Sequence, residues 1–193
     1  METAGRVWYA EHMGDDAREI IEVEAGPGEP PPLPAAKSEP TPLSVFDLPP
    51  RAWPPKTLGD LMTRKVITLG EKEPIGDLEG LMRRFGFRHV PVVSADMRLV
   101  GLITRVDLLH ALLGRTADGT PAIRVGPDTP ANAVMNRDVV TADVDTPLAA
   151  ALNVMLEEKL GCLPVVRYDT SLVGIVTETD FARIQLESLK REA

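Results

Sequence analysis

The sequence has little of what usually carries chemistry. Its one cysteine, Cys162, rules out an internal disulfide and makes a reducing compartment the simplest home. Of three histidines, His12 and His110 lack a partner at the spacing of a metal site or a catalytic triad, and both read as solvent-facing or locally bonded. Aromatic residues make up only 4% of 193, so a core must be aliphatic, and a hydrophobic share of 44% is enough to build one. No apolar run approaches the roughly 18 residues that span a bilayer. The opening Met-Glu-Thr-Ala-Gly-Arg lacks the basic region and apolar stretch of a signal peptide, so a soluble, cytoplasmic protein without membrane association is expected. Basic charge is also scarce. A net charge of -8 argues against non-specific nucleic-acid binding, which needs a basic surface, and no helix-turn-helix pattern is present. A small anion in a locally basic pocket stays open.

Proline is abundant, but in one place. Eleven of the 18 prolines precede Thr57, all of them from Pro27 to Pro55, and residues 1–56 carry a net charge of -5. Such a tract cannot bury enough apolar surface to offset its ordering entropy. Residues 1–56 therefore read as a Pro-rich acidic arm or linker, largely irregular. Val7-Trp8-Tyr9, Ile20-Ile21, Val45-Phe46 and Trp53 are possible anchors, and Ala17–Val23 carries a weak helix or strand signal.

The rest of the chain repeats itself. A shift of 73 residues aligns Leu61–Leu109 with Val134–Ala182 without a gap, and 15 of the 49 positions are identical. Ordinary amino-acid usage would give about three. This is an internal duplication. Each copy opens with a β-branched run, Val66-Ile67-Thr68 or Val139-Val140-Thr141. A helix is expected next, with Pro74 or Pro147 at its first position and Thr146 as an N-cap. Ile75, Leu78, Leu81, Met82 and Phe85 fit one helical face, as do Leu148, Leu152, Met155 and Leu156. Two apolar strands follow, Val90–Val93 with Leu99–Ile103, and Leu163–Val166 with Leu172–Val176. A last helix begins near Thr104 or Thr177. The order is β-α-β-β-α twice, an α+β fold. One copy is too small to bury both faces of its sheet, so the two must pack together.

The segments "LMTRKVITL" and "VMNRDVVTA", "RHVPVV" and "CLPVV", "LVGLITRVDLL" and "LVGIVTETDFA" resemble the CBS domain, named after cystathionine β-synthase and found in pairs as the Bateman module. The resemblance covers about Leu58–Leu189. It implies two CBS repeats packed with pseudo-two-fold symmetry, at 57–116 and 130–193, joined by a linker at 117–129. It also implies clefts for adenosine derivatives such as AMP, ATP or S-adenosylmethionine, held as regulatory ligands with no obligatory cofactor. Family members commonly form disc-shaped dimers and regulate an attached or partner protein. No catalytic or transport domain is recognisable here, so an unidentified partner chain and a homodimer are expected.

Thr104-Arg105-Val106-Asp107 and Thr177-Glu178-Thr179-Asp180 each read as a helix cap, although Glu or Gln is the usual fourth residue. The same geometry suits a nucleotide. Free N–H groups at a helix N-terminus favour phosphate, and a first-turn carboxylate can accept bonds from ribose hydroxyls. Through the resemblance, Val66, Thr68, Val139 and Thr141, with Pro91 and Pro164, line the adenine and ribose walls. Arg88, His89 and Arg105 mark copy one as the phosphate side, because copy two has Gly161, Cys162 and Glu178 there. Asp107 is thus expected in the stronger site, although facing clefts could share these side chains. Gly101 and Gly174 read as a bulge or the close approach of another backbone or a ligand, with the structural reading preferred. Cys162 and the paired methionines Met62, Met135, Met82 and Met155 read as core. No nucleophile–base pair or metal cluster is evident, so an enzyme is not expected. The leading function is a ligand-sensing regulator. The alternative is a ligand-independent dimeric adaptor that binds its partner through the N-terminal arm.

Overall fold

The computed structural model describes residues 6–13, 17–24, 53–76, 78–115, 120 and 124–192. Copy one contains α1 (Leu58–Leu61), β3 (Val66–Gly70), α2 (Leu78–Phe85), β4 (His89–Val93), β5 (Leu99–Thr104) and α3 (Arg105–Leu113). Copy two repeats the path with a 3-10 turn (Ala131–Ala133), β6 (Ala142–Asp143), α4 (Leu148–Glu157), β7 (Cys162–Val166), β8 (Leu172–Thr177) and α5 (Glu178–Glu192). In each copy the first strand lies parallel to the second, and the second pairs antiparallel with the third. The expected β-α-β-β-α order is present twice.

Within the segment read as an arm, β1 (Arg6–Met13) and β2 (Ala17–Glu24) form an antiparallel hairpin. β1 also pairs with β3, so copy one sits in a sheet of order β2-β1-β3-β4-β5, while copy two has the three strands β6-β7-β8. The Pro-rich tract and the Val45-Phe46 anchor lie outside the described residues. Trp53 is described, and its ring lies under the Arg191 guanidinium, 4.4 Å from the centroid.

Three local expectations need correcting. Neither proline occupies the first position of a helix. Pro147 is the N-cap of α4, with extended backbone, and Thr146 instead accepts a hydrogen bond from the Asp143 N–H at 3.1 Å. Pro74 lies four residues ahead of α2, bridged to Pro130. The run Val139–Thr141 is not a strand. Only Ala142 and Asp143 pair with β7, because Asn136 turns the preceding chain, accepting from the Asp138 N–H, and binds it to copy one.

The contacts between copies follow the 73-residue shift. Thr57 bridges Pro147, and the shifted pair, Pro130 with Pro74, does the same. Thr63 bridges Ile175, matched by Asn136 with Leu102. Arg98 bridges Ser171, and these two positions are each other's equivalents. A pseudo-two-fold axis therefore passes between Arg98 and Ser171. Beside it Met97 and Thr170, again equivalent, both adopt left-handed backbone, with φ of 60° and 65°.

The same operation exchanges parts of the core. Leu58, Leu61 and Met62 of copy one pack with Met155, Leu163 and Val176 of copy two. Ala131 and Met135 of copy two pack with Met82, Val90 and Ile103 of copy one. A third cluster, Val66, Val93, Cys162, Leu172 and Ile175, seals the interface between them. Full burial of one Leu or Met side chain is worth roughly 1.5–3 kcal/mol. The exchanged helix alone thus ties the copies together by several such contributions. Gly101 and Gly174 are the entry points for this exchange. A Cβ at Gly174 would lie 2.5 Å from the Met62 sulfur, and one at Gly101 would overlap the Met135 sulfur.

Candidate ligand-binding clefts

Both Thr-x-x-Asp sequences cap their helices. In copy one the Asp107 carboxylate accepts from the Thr104 N–H at 3.0 Å and its hydroxyl at 2.7 Å, and Thr104 accepts from the Asp107 N–H at 3.1 Å. In copy two Asp180 Oδ2 accepts from the Thr177 N–H at 2.9 Å and its hydroxyl at 2.8 Å. A third instance, Thr57 to Asp60, caps the four-residue α1 and escaped the sequence reading. The N–H groups of Lys56 and Thr57 hold the Asp60 carboxyl below its usual range. Capping alone therefore does not mark a ligand site. The surroundings decide.

Around Asp180 the surroundings form a cleft. Thr63 exchanges two backbone hydrogen bonds with Ile175, at 2.9 and 3.0 Å, which lays the chain entering β3 against β8 of the other copy. β3 runs parallel to β4, so the openings of both strands, Val66 and His89, lie together against α5, while His89 also pairs with Thr104 at the start of α3. The result is a cleft of about 380 Å³, lined from copy one by Lys65, Val66, Ile67, Phe85, Phe87, Arg88 and His89, and from copy two by Ile175, Thr177, Thr179, Asp180 and Arg183. Its size suits a small-molecule ligand, which commonly occupies about 300–1,000 Å³. Asp180 is almost wholly buried, and its second oxygen lies 3.5 Å from the Arg183 guanidinium. Three cations, Lys65, Arg88 and Arg183, thus share one cavity with one buried carboxylate.

His89 stands at the back of this cleft. Its ring approaches Gly161 so closely that a Cβ there would lie 3.0 Å from Nε2. Burial, and then the neighbouring Arg88, push the imidazole below its ordinary pKa, while Glu178 and Asp107 pull the other way. A phosphate in the cleft would favour the imidazolium. Its counterpart Cys162 is buried in the interface, and burial pushes the thiol up to about 12, so it is no nucleophile at neutral pH.

The structure divides the expected site residues. Val66, Arg88, His89, Thr177 and Asp180 meet in one cleft. Arg88 and His89 therefore line the cleft of Asp180 while lying beside the start of α3, where His89 pairs with Thr104 and feels Asp107, so they stand between the two aspartates. Arg105 turns away: its guanidinium donates to the Met82 carbonyl at 3.1 Å, near the C-terminal end of α2, where unpaired carbonyls favour cations. Thr68 is fully buried inside β3, and Pro91 and Pro164 are buried in β4 and β7 opposite Leu102 and Ile175. Val139 is half-buried and Thr141 exposed, in the stretch before β6. Thr104 and Asp107 form the cap at the other helix. The sequence reading missed Lys65, Phe85, Phe87 and Arg183. Their signal was available in the 73-residue shift, which replaces them with Asp138, Glu158, Leu160 and His110.

Two pseudo-symmetric β-α-β-β-α repeats, interlocked through their entering segments with a cleft where the strand openings of one meet the last helix of the other, define a paired-repeat module. The chain belongs to the CBS domain family, whose profile matches residues 58–114 and 131–187. Among solved structures it is similar to a candidate acetoin utilization protein (AcuB) from Vibrio cholerae, at 34% identity and a TM-score of 0.59, covering 71% of this chain and 96% of that one. It is also similar to the CBS domain pair of protein MJ0100, solved in complex with 5'-methylthioadenosine and S-adenosyl-L-methionine, at 25% identity and a TM-score of 0.56, covering 68% of this chain and 97% of that one. A further neighbour is the cytosolic domain of the Mg2+ channel MgtE in complex with ATP, at 25% identity and a TM-score of 0.54, covering 67% of this chain and 48% of that one.

Among curated proteins, the uncharacterized protein MJ1225 of Methanocaldococcus jannaschii is 35% identical over 128 residues, 65% of this chain. The homoserine O-acetyltransferase of Methanohalobium evestigatum is 29% identical over 127 residues, 66% of this chain. This chain spans 45% and 24% of those two proteins, respectively. Among the described residues no helix is long and apolar enough to cross a membrane.

Proposed function

We propose that this chain is a regulatory sensor that takes an adenosine nucleotide, AMP or ATP, in the Asp180 cleft and passes its occupancy to a partner protein. The observation that carries the reading is the pairing, in one cavity of about 380 Å³, of a buried carboxylate with Lys65, Arg88 and Arg183. A carboxylate suits ribose hydroxyls, and guanidinium groups suit phosphate. The cations disfavour S-adenosylmethionine, whose sulfonium is itself positive. That related CBS pairs were solved with ATP or with S-adenosyl-L-methionine supports an adenosine ligand of some kind. The reading assigns the chain no catalysis and a cytoplasmic location. It includes a homodimer, formed through exposed apolar helix faces: Val106, Leu109 and Leu113 on α3, and Val154 and Leu156 on α4.

Thermal unfolding with a panel of adenosine ligands tests the proposal, since a ligand that binds only the folded state stabilises it by about 2.7 kcal/mol at 100 times its Kd. AMP or ATP should raise the melting temperature. No rise with any adenosine ligand at millimolar concentration would overturn the sensor and leave the adaptor reading.

A further inference from the structure

Arg183 is placed unlike the other two cations of the cleft. It lies on the first turns of α5, three residues after Asp180, and its Nη1 is 3.5 Å from Asp180 Oδ1. Asp180 Oδ2 is already engaged by the Thr177 N–H and hydroxyl, so Oδ1 is the oxygen left for a ligand. The Asp180 side chain is 6% exposed and the Arg183 side chain 51%, so the carboxylate is fixed while the guanidinium can move. Copy one has no equivalent, because His110 stands 73 residues earlier.

We infer that Arg183 determines specificity by exchanging partners, leaving Asp180 for the ligand's phosphate as the ribose takes the Asp180 carboxylate. The inference rests on the proposed nucleotide site. A ligand with both ribose and phosphate replaces each half of the Asp180–Arg183 pair. A nucleoside takes the carboxylate and leaves the guanidinium without its partner, so it competes with Arg183 and gains nothing from it. Arg183 thereby favours phosphorylated over unphosphorylated ligands from both directions. A residue that only supported the fold would shift both affinities the same way.

Calorimetric titration of AMP and of adenosine into the full chain, and into Arg183→Ala and Arg183→Lys, tests this. Arg183→Ala should weaken AMP about tenfold or more, the worth of a charged hydrogen bond, while adenosine holds its affinity or tightens by up to about fivefold, the worth of a surface ion pair. Arg183→Lys should restore part of the preference for AMP. If the wild type binds both ligands and Arg183→Ala weakens them equally, the exchange is wrong and the nucleotide site stands. If the wild type binds neither, the site itself is wrong, and the exchange falls with it. Melting temperatures of the unliganded variants check that each remains folded.

Discussion

Two copies of one sequence pattern build two corners of opposite character. At the start of α5, Asp180 faces Lys65, Arg88 and Arg183. The positions 73 residues away pair Asp107 with Asp138, Gly161 and His110, and the Nδ1 of His110 is buried with no hydrogen-bond partner among the described residues. The cores show the opposite tendency. Met62 and Met135, Val92 and Val165, and Gly101 and Gly174 are identical pairs in equivalent places. Where the copies interlock, the methionine–glycine contacts are the same in both although Leu58 is matched by Ala131, and at the helix starts the charges differ. Which residues share a cleft is decided by the crossing of each copy's entering segment onto the other copy, not by membership of a repeat.

The largest expected effect sharpens the core side of this comparison. Leu58 is fully buried in copy two's core, where copy one receives only Ala131 at the equivalent place. Leu58→Ala should cost roughly 2–5 kcal/mol, read as a shift in urea midpoint, because it empties a close-packed site. A loss below about 0.5 kcal/mol would mean that α1 does not complete the neighbouring copy.

A smaller and more discriminating effect concerns the two glycines. A Cβ at Gly174 meets the flexible Met62 side chain, with its sulfur 2.5 Å away, whereas one at Gly101 also meets the Asn136 carbonyl oxygen at 2.9 Å. A methionine can turn aside, but a carbonyl held by the Leu102 N–H cannot. Both alanine variants should fall within the roughly 1–3 kcal/mol of overpacked cores, with Gly101→Ala the worse. Equal losses in urea unfolding would show that the backbone contact does not matter.

Much of the fold was legible because the duplication is ungapped and each copy alternates between helical and strand spacing. Strands β4, β5, β7 and β8 lie within a residue of their expected places. What self-comparison could not supply was which copy's pieces pair. A duplication fits equally well whether each entering helix packs on its own repeat or on the other, and bridges such as Thr63–Ile175 and Leu102–Asn136 resolve it. That ambiguity is why the place of Arg88 and His89 in the Asp180 cleft, beside the start of α3, was not legible. The short β6 was hidden for a different reason. Val139-Val140-Thr141 has strand composition, but Asn136 binds the chain just before it to Leu102. Arg105 reads as a phosphate ligand from its charge and the family resemblance, and the structure shows its guanidinium donating to the Met82 carbonyl.

The most direct test of the account sets the two aspartates against each other. Both carboxylates accept from the N–H and hydroxyl of a capping threonine, and loss of a cap costs typically about 1 kcal/mol, with Asp180→Ala also losing the ion pair with Arg183. Their ligand binding should differ. Titrating AMP into the wild type and both variants by calorimetry, Asp180→Ala should weaken binding about ten- to a hundredfold, and Asp107→Ala should stay close to the wild type. If Asp107→Ala proves the more damaging change, the nucleotide lies in the other cleft and the partnership of Asp180 with Arg88 and Lys65 is not the site.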